Sequence, residues 1–218
     1  MNAAERAWCD TISVLGNQAN RDLTFELACR AIDEGIPGDF AECGVMSGGH
    51  PAIMAKASLV RGVTRIVHLY DSFDKFPQPG PDDVEVYKRD YGVNADRLHG
   101  KPMNVITGTL TQVRSNMEKW RIPDTMLRYH KGWIQETLVA EQPPTLALLR
   151  VDVDLYDSTV PVYKYLYPLM PSGAFIISDD WGTSDVAPAR IATVKTLGYT
   201  PTVTPVVGQE TSVWWRKP

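Results

Sequence analysis

The sequence is poor in cysteine. Its 218 residues include three cysteines, at positions 9, 29 and 43, and their spacing matches no metal-binding motif. An odd number of dispersed cysteines is typical of free thiols in a reducing compartment. We therefore expect a cytoplasmic protein with neither disulfides nor a cysteine-based zinc site.

The chain also lacks long apolar runs and clusters of positive charge. No apolar run approaches the roughly 20 residues that span a bilayer, and the polar N-terminus of mixed charge is unlike a signal peptide. The formal net charge is −4, which disfavours nucleic acid as a partner. With 44% hydrophobic and 22% charged residues, the composition predicts one ordered globular domain over 1–218.

Short apolar segments alternate with segments of helical periodicity. The pattern predicts five strands, at 39–45, 65–70, 126–130, 146–151 and 174–178. Such alternation favours an α/β fold with a mostly parallel sheet and helices on both faces. Two more strands, at about 200–206 and 211–216, predict an antiparallel C-terminal hairpin at one edge.

Two connecting segments have distinctive sequences. The rigid stretch Phe76-Pro-Gln-Pro-Gly-Pro81 opens a long irregular segment. Because long loops in compact domains are often lids or binding loops, a lid or insert is predicted at about 74–104. Ser158 is expected to cap a helix that runs to about Met170.

Four aspartates follow two of the predicted strands. Asp152 and Asp154 come after the strand at 146–151, and Asp179 and Asp180 come after the strand at 174–178. Ligands of open α/β sheets bind beyond the carboxyl ends of the strands, so we expect these side chains to meet. Unpaired buried carboxylates are costly, and a hard cation such as Mg²⁺ is their usual partner. Aspartates that cap nearby helices are the alternative.

A glycine-rich turn and a strand-end acid indicate a second ligand. Glycines in Glu42-Cys-Gly-Val-Met-Ser-Gly-Gly-His50 allow close approach of the backbone, and the following helix N-terminus attracts anions. Asp71, next to Ser72, ends the second predicted strand, where an acid can bind two ribose hydroxyls. Trp133 follows another strand and could flank a planar ring. Together they predict a nucleoside-bearing cofactor; a tight turn and a core tryptophan are the alternatives.

Six segments form an ordered set of motifs. They are Gly38-Asp-Phe-Ala-Glu-Cys-Gly-Val45 with the following Ser-Gly-Gly, Tyr70-Asp-Ser-Phe-Asp-Lys-Phe-Pro77, Lys131-Gly-Trp-Ile-Gln-Glu-Thr-Leu138, Leu149-Arg-Val-Asp-Val-Asp-Leu-Tyr-Asp-Ser-Thr159, Leu166-Tyr-Pro168 and Ile177-Ser-Asp-Asp-Trp-Gly182. This set, spread over about residues 20–217, resembles the macrocin O-methyltransferase family. The resemblance implies a class I methyltransferase (Rossmann-like) fold with a seven-stranded sheet. It also implies a metal-dependent enzyme that uses S-adenosylmethionine to methylate sugar hydroxyls.

The resemblance further implies roles for individual residues. Near the cofactor it places Glu42, Gly44, Ser47 and Asp71. As Mg²⁺ ligands it gives Asp152, Asp179 and Asp180. Asp154 would then lie beside the metal or face the substrate, and Asp152, Asp154 or a water would accept the proton.

We therefore expect methyl transfer from S-adenosylmethionine to a hydroxyl of a sugar or glycosylated natural product, with Mg²⁺ lowering the pKa of that hydroxyl. The expected partner is a small sugar-containing acceptor, without nucleic acid or membrane, and the expected assembly is a homo-oligomer. Metal-dependent methylation of a phenolic or catechol oxygen is one alternative. A non-catalytic nucleotide-binding scaffold is the other.

Overall fold

A seven-stranded sheet organises the protein. The computed structural model describes residues 2–12, 18–83, 108–182 and 187–218. The helices in these ranges are α1 Ala3–Cys9, α2 Gln18–Asp33, α3 Gly49–Val60, α4 Leu110–Lys119, α5 Ile134–Ala140, α6 Tyr156–Tyr165 and α7 Pro188–Leu197. The strands are β1 Asp39–Cys43, β2 Val67–Asp71, β3 Leu127–Lys131, β4 Leu146–Val151, β5 Phe175–Ser178, β6 Thr204–Val206 and β7 Gln209–Arg216.

The sheet is parallel except at one edge. Its strand order is β3-β2-β1-β4-β5-β7-β6, and β7 runs antiparallel to both β5 and β6. The chain moves outward from β1 to β3 and then returns to β4 on the other side of β1. Because parallel crossovers are right-handed, α3 and α6 cover opposite faces of the sheet. The predicted mostly parallel sheet with an antiparallel C-terminal hairpin is confirmed.

The central strand β4 is buried along its whole length. A parallel strand with helices over both faces is expected to be a continuous apolar run, and five of the six residues from Leu146 to Val151 are apolar. The exception is Arg150, whose side chain is 0% exposed. Since a charge is rarely buried without partners, this residue indicates a polar site inside the fold.

None of the described helices is long and apolar enough to cross a bilayer.

The helix after β4 differs from its prediction. The prediction that Ser158 caps it is wrong, because α6 begins two residues earlier and ends at Tyr165. The first free backbone N–H, that of Tyr156, is instead bound by the distant Asp83 carboxylate at 2.6 Å. A helix leaves its first N–H groups without intrahelical acceptors. Here a tertiary contact meets that need in place of a local cap.

The proline-rich segment after β2 packs on the same end of α6. Gly80 donates its backbone N–H to the buried Asp83 at 3.1 Å, and a Cβ at Gly80 would collide with the Asp157 carboxylate. Residues 84–107 lie outside the described residues, so the lid at about 74–104 stays a prediction, as does the single domain over 1–218.

The tips of β1 and β4 approach each other at Gly44. This residue has a φ of +84°, and a Cβ there would lie 1.7 Å from the Asp152 carbonyl oxygen.

We predict that Gly44→Ala destabilises the fold far more than Gly62→Ala. Gly62 also has a positive φ, +68°, but a Cβ there would meet no atom within 4 Å. The free energy of unfolding of the Gly62→Ala control should fall only by the cost of placing alanine in the left-handed conformation, about 1–2 kcal/mol. Urea unfolding of both variants measures the difference, and equal losses would contradict the close approach.

Candidate active site

The carboxyl ends of β1 to β5 surround one cleft of about 330 Å³. The strand order reverses between β1 and β4, and this is where open α/β sheets bind ligands. The predicted site residues that line its walls are Gly44, Asp71, Ser72, Trp133, Asp152, Asp154, Asp179 and Asp180. The structure thus brings together residues from Gly44 to Asp180, which are separated by more than half the chain.

Asp71 ties the glycine-rich turn to the end of β2. Its Oδ2 accepts the backbone N–H groups of Val45 at 2.7 Å and Met46 at 3.2 Å, and its Oδ1 accepts that of Phe73 at 2.7 Å. The Ser72 hydroxyl also lies 3.4 Å from Oδ1, so the protein occupies at least three of the roughly four acceptor positions of this carboxylate. Asp71 lines the cleft, as the predicted ribose contact requires, and that contact stays a prediction. The adjacent Ser72 hydroxyl donates to the Lys75 carbonyl oxygen at 2.6 Å.

Three other residues predicted to bind the cofactor occupy different places relative to the cleft. Trp133 is half-buried on the cleft wall, and the Lys75 ammonium lies 5.8 Å from the centre of its ring. The Ser47 carbonyl oxygen accepts a bond from Asn116 of α4 at 2.9 Å, which fixes the turn before α3. Glu42 lies beneath the cleft and is 1% exposed.

A buried arginine gathers three of the acidic residues. The Nε of Arg150 donates to Glu42 at 2.9 Å, and its Nη2 donates to both Asp152 and Asp179, each at 2.9 Å. The strand-end motifs predicted that a metal gathers the aspartates, and they gave no role to Arg150. The position of Arg150 in the sequence could have indicated this role, because an arginine inside the apolar run Leu146–Val151 requires buried acidic partners.

Asp179 is also held by residues from two further elements. Its Oδ1 accepts hydrogen bonds from the Asn20 amide of α2, at 3.3 Å, and from the Ser212 hydroxyl of β7. Asn20 and Ser212 are both 0% exposed, and Asn20 Nδ2 lies 3.1 Å from Ser212 Oγ. The sequence gives no sign of this pair, because 192 positions separate the two residues and neither belongs to a motif.

The acidic groups exceed the positive charge available to them. Burial raises the pKa of Glu42 to about 8, although Arg150 opposes the shift. Burial, and then the charges of Asp154 and Asp179, raise the pKa of Asp180 to about 8. Burial also raises the pKa of Asp152 well above its usual value. The cluster is therefore suited to an additional cation.

The predicted metal ligands share the cleft without forming a closed cluster. Asp152 and Asp179 face the same Arg150 nitrogen, and Asp180 accepts the backbone N–H of Asp154 at 2.8 Å. Within the described ranges, no three His, Cys, Asp or Glu side chains are grouped so that they could hold a metal ion. The donor chemistry fits nonetheless, since oxygen ligands and excess negative charge suit Mg²⁺ better than zinc.

Asp154 lies at the mouth of the cleft in an unusual backbone conformation. Its φ is +58°, a value that is uncommon outside glycine and that clusters at functional sites. Asp154 is itself exposed, but the surrounding protein removes part of the water near its carboxylate. This partial loss of water, followed by the charge of Asp179, raises the pKa of Asp154. A carboxylate with a raised pKa is a more effective proton acceptor near neutral pH.

The buried Glu42 predicts a pH dependence of stability. Its pKa rises on folding from about 4.5 to about 8, so between these values the folded state binds the proton more tightly than the unfolded state. The free energy of unfolding should therefore fall as pH rises across that window. Glu42→Gln removes this contribution. Without divalent ions, the stability of the variant relative to the parent should increase from pH 5 to pH 8, by at most about 1.4 kcal/mol per pH unit.

Glu34→Gln is the matched control for urea unfolding at pH 5, 6.5 and 8. Glu34 is an exposed glutamate whose pKa Arg216 holds below its usual value of 4.5, so it is mostly ionised in both states from pH 5 upward. Its effect should not vary with pH, and an equally flat difference for Glu42→Gln would contradict the raised pKa.

Comparisons with known proteins agree with this architecture. The model of the macrocin O-methyltransferase family matches residues 10–217. The 8-demethyl-8-(2,3-dimethoxy-alpha-L-rhamnosyl)-tetracenomycin-C 4'-O-methyltransferase of Streptomyces olivaceus is 33% identical over 84% of this chain and 67% of its own length. The demethyldecarbamoylnovobiocin O-methyltransferase of Streptomyces niveus is 34% identical over 69% of this chain. The chain spans only 55% of that second relative.

A solved structure supports the same assignment. The O-methyltransferase NovP superposes with a TM-score of 0.77 at 26% identity, over 91% of this chain and 79% of its own. The match includes the seven-stranded sheet, so the class I methyltransferase fold implied by the motifs is confirmed. The chain belongs to the macrocin O-methyltransferase family of S-adenosylmethionine-dependent enzymes.

Proposed function

We propose that this chain transfers the methyl group of S-adenosylmethionine to a hydroxyl oxygen of a sugar in a glycosylated natural product. The observation that carries this proposal is the two-sided cleft, with the glycine-rich turn and Trp133 on one side and four aspartates on the other. A donor and an acceptor bound on the two sides would meet at the point where β1 and β4 separate. The rhamnosyl compound in the name of the Streptomyces olivaceus relative supports a sugar-bearing acceptor.

On the cofactor side, the proposed contacts are Gly44, Asp71, Ser72 and Trp133. Gly44 lets the ligand approach the backbone closely, and Asp71 presents its remaining acceptor capacity to the ribose. Glu42 Oε2 is buried without a hydrogen-bond partner among the described residues. Because such an atom is costly, it is the acceptor we assign to the amino group of the methionine moiety. Ser47 supports the turn that carries Gly44.

On the acceptor side, Asp152, Asp179 and Asp180 are the proposed ligands of Mg²⁺. The shared cleft supports this assignment. So do the raised pKa values of Asp152 and Asp180, which arise first from burial and then from the charges of neighbouring aspartates. When bound, the ion would lower the pKa of the acceptor hydroxyl.

In the proposed reaction, the bond between sulfur and the methyl carbon breaks and its electron pair remains on sulfur. A bond between the acceptor oxygen and the methyl carbon forms, and the hydroxyl proton passes to a base. Of the two predicted bases, Asp154 is the better placed, because Arg150 engages Asp152 directly while Asp154 lies at the cleft mouth. Positioning of donor and acceptor supplies much of the remaining acceleration.

Metal dependence is tested by chelation and by Asp180→Asn. We predict that excess EDTA abolishes methyl transfer, that Mg²⁺ restores it, and that Asp180→Asn lowers turnover by more than about 100-fold, because the charge of the transition state loses its stabilisation. The control is Asp157→Asn, a nearby carboxylate at the start of α6. Formation of S-adenosylhomocysteine is measured by mass spectrometry. Full activity in EDTA would remove the metal from the mechanism.

The role of Asp154 is tested by Asp154→Asn. Loss of a general base should lower kcat by about 10²–10⁴-fold. The rise of kcat with pH that reflects ionisation of the base should flatten. Binding of S-adenosylhomocysteine, measured by thermal shift, should not change. A variant with unaltered kcat would leave Asp152 or a water as the base.

Acceptor comparison separates the sugar from the other possibilities. Faster methylation of a glycoside than of a catechol supports the proposal, and the reverse order supports a phenolic acceptor. Binding of S-adenosylhomocysteine without transfer to either would support the scaffold. A homo-oligomeric assembly and a cytoplasmic location stay predictions.

A further inference from the structure

We propose that Asn20 and Ser212 are positioning residues that orient the Asp179 carboxylate for the metal ion. The inference rests on the proposed function, because it assumes that Asp179 is a metal ligand. Neither residue lies in the motifs that define the site. Their importance follows from the hydrogen bonds around Asp179.

Asp179 and Asp152, two of the three proposed ligands, are held to very different degrees. Asp179 accepts hydrogen bonds from Asn20, Ser212 and Arg150, and these donors come from α2, β7 and β4. By contrast, among the described residues Asp152 accepts a side-chain hydrogen bond from Arg150 alone. Asp179 is therefore the more firmly fixed of the two.

The pattern of donors also indicates which oxygen is available. Each carboxylate oxygen has two acceptor positions. Asn20 and Ser212 use both positions of Oδ1, and Arg150 uses one position of Oδ2. The remaining position belongs to Oδ2, so Asp179 would bind the ion through that single oxygen. Removing either donor to Oδ1 would let the carboxylate rotate and exchange its two oxygens.

The backbone around Asp179 is fixed independently of these side chains. Asp179 donates its N–H to Val151 of β4 at 2.9 Å, and Trp181 donates its N–H to Thr211 of β7 at 2.8 Å. A small change at Ser212 should thus leave the strand tip in place and alter only the orientation of the carboxylate. Partners that orient metal ligands typically contribute 10–100-fold to metal affinity.

The test compares Ser212→Ala with Ser178→Ala. Ser178 is a buried serine at the end of β5, opposite Val213, and in the described structure its hydroxyl contacts no carboxylate. Mn²⁺, which prefers the same oxygen ligands as Mg²⁺, is titrated into the full chain with S-adenosylhomocysteine present. Free Mn²⁺ is measured by electron paramagnetic resonance. Ser212→Ala should raise the Kd for Mn²⁺ by about 10–100-fold, whereas Ser178→Ala should leave it within about twofold.

Asn20→Ala is the second variant and should weaken Mn²⁺ binding in the same direction. Urea midpoints without metal separate positioning from folding, since Ser212→Ala and Ser178→Ala should unfold at similar concentrations. High Mg²⁺ should restore much of the kcat of Ser212→Ala. Parental Mn²⁺ affinity in both Ser212→Ala and Asn20→Ala would overturn the inference while leaving the metal site intact. Absence of Mn²⁺ binding by the parent would overturn the metal proposal itself, and the inference with it.

Discussion

The buried guanidinium of Arg150 links three strands at the point where the sheet changes direction. It bonds Glu42 at the end of β1, Asp152 after β4 and Asp179 after β5. A buried charge is tolerated only when its partners are close and well oriented. The requirement acts in both directions, since Arg150 needs these carboxylates and they need Arg150. The geometry of the strand tips is therefore coupled to the geometry of the acidic groups that face the cleft.

This interaction leaves the charge of the site unbalanced. One guanidinium faces Glu42, Asp152 and Asp179, and Asp180 lies beside them with a pKa raised to about 8. A protein selected for stability alone would not keep such a surplus, because like charges in a poorly solvated cleft repel each other. Departures from local stability rules are expected where a ligand completes the structure. A divalent cation and a positively charged methyl donor are ligands of the required sign.

The two ends of the chain support the centre. Asn20 reaches Asp179 from α2, and Ser212 reaches it from β7, the antiparallel strand next to β5. The C-terminal hairpin thus has a role beyond covering the sheet edge, because it supplies a hydroxyl to a buried carboxylate. Asp83 acts similarly at the start of α6, where it binds the first N–H of that helix. Side chains that are distant in sequence therefore fix both the Asp179 carboxylate and the start of α6.

The sequence by itself determined the order of strands and helices, because burial on both faces imposes apolar runs such as Leu146–Val151. It also determined that Asp71, Asp152 and Asp179 would line one cleft, since parallel strands deliver their carboxyl ends to one edge. Periodicity and motifs carry no information about contacts between distant positions. Only the tertiary structure therefore decided that Arg150 joins the acids, that Asp83 replaces Ser158 as the cap of α6, and that Asn20 meets Ser212.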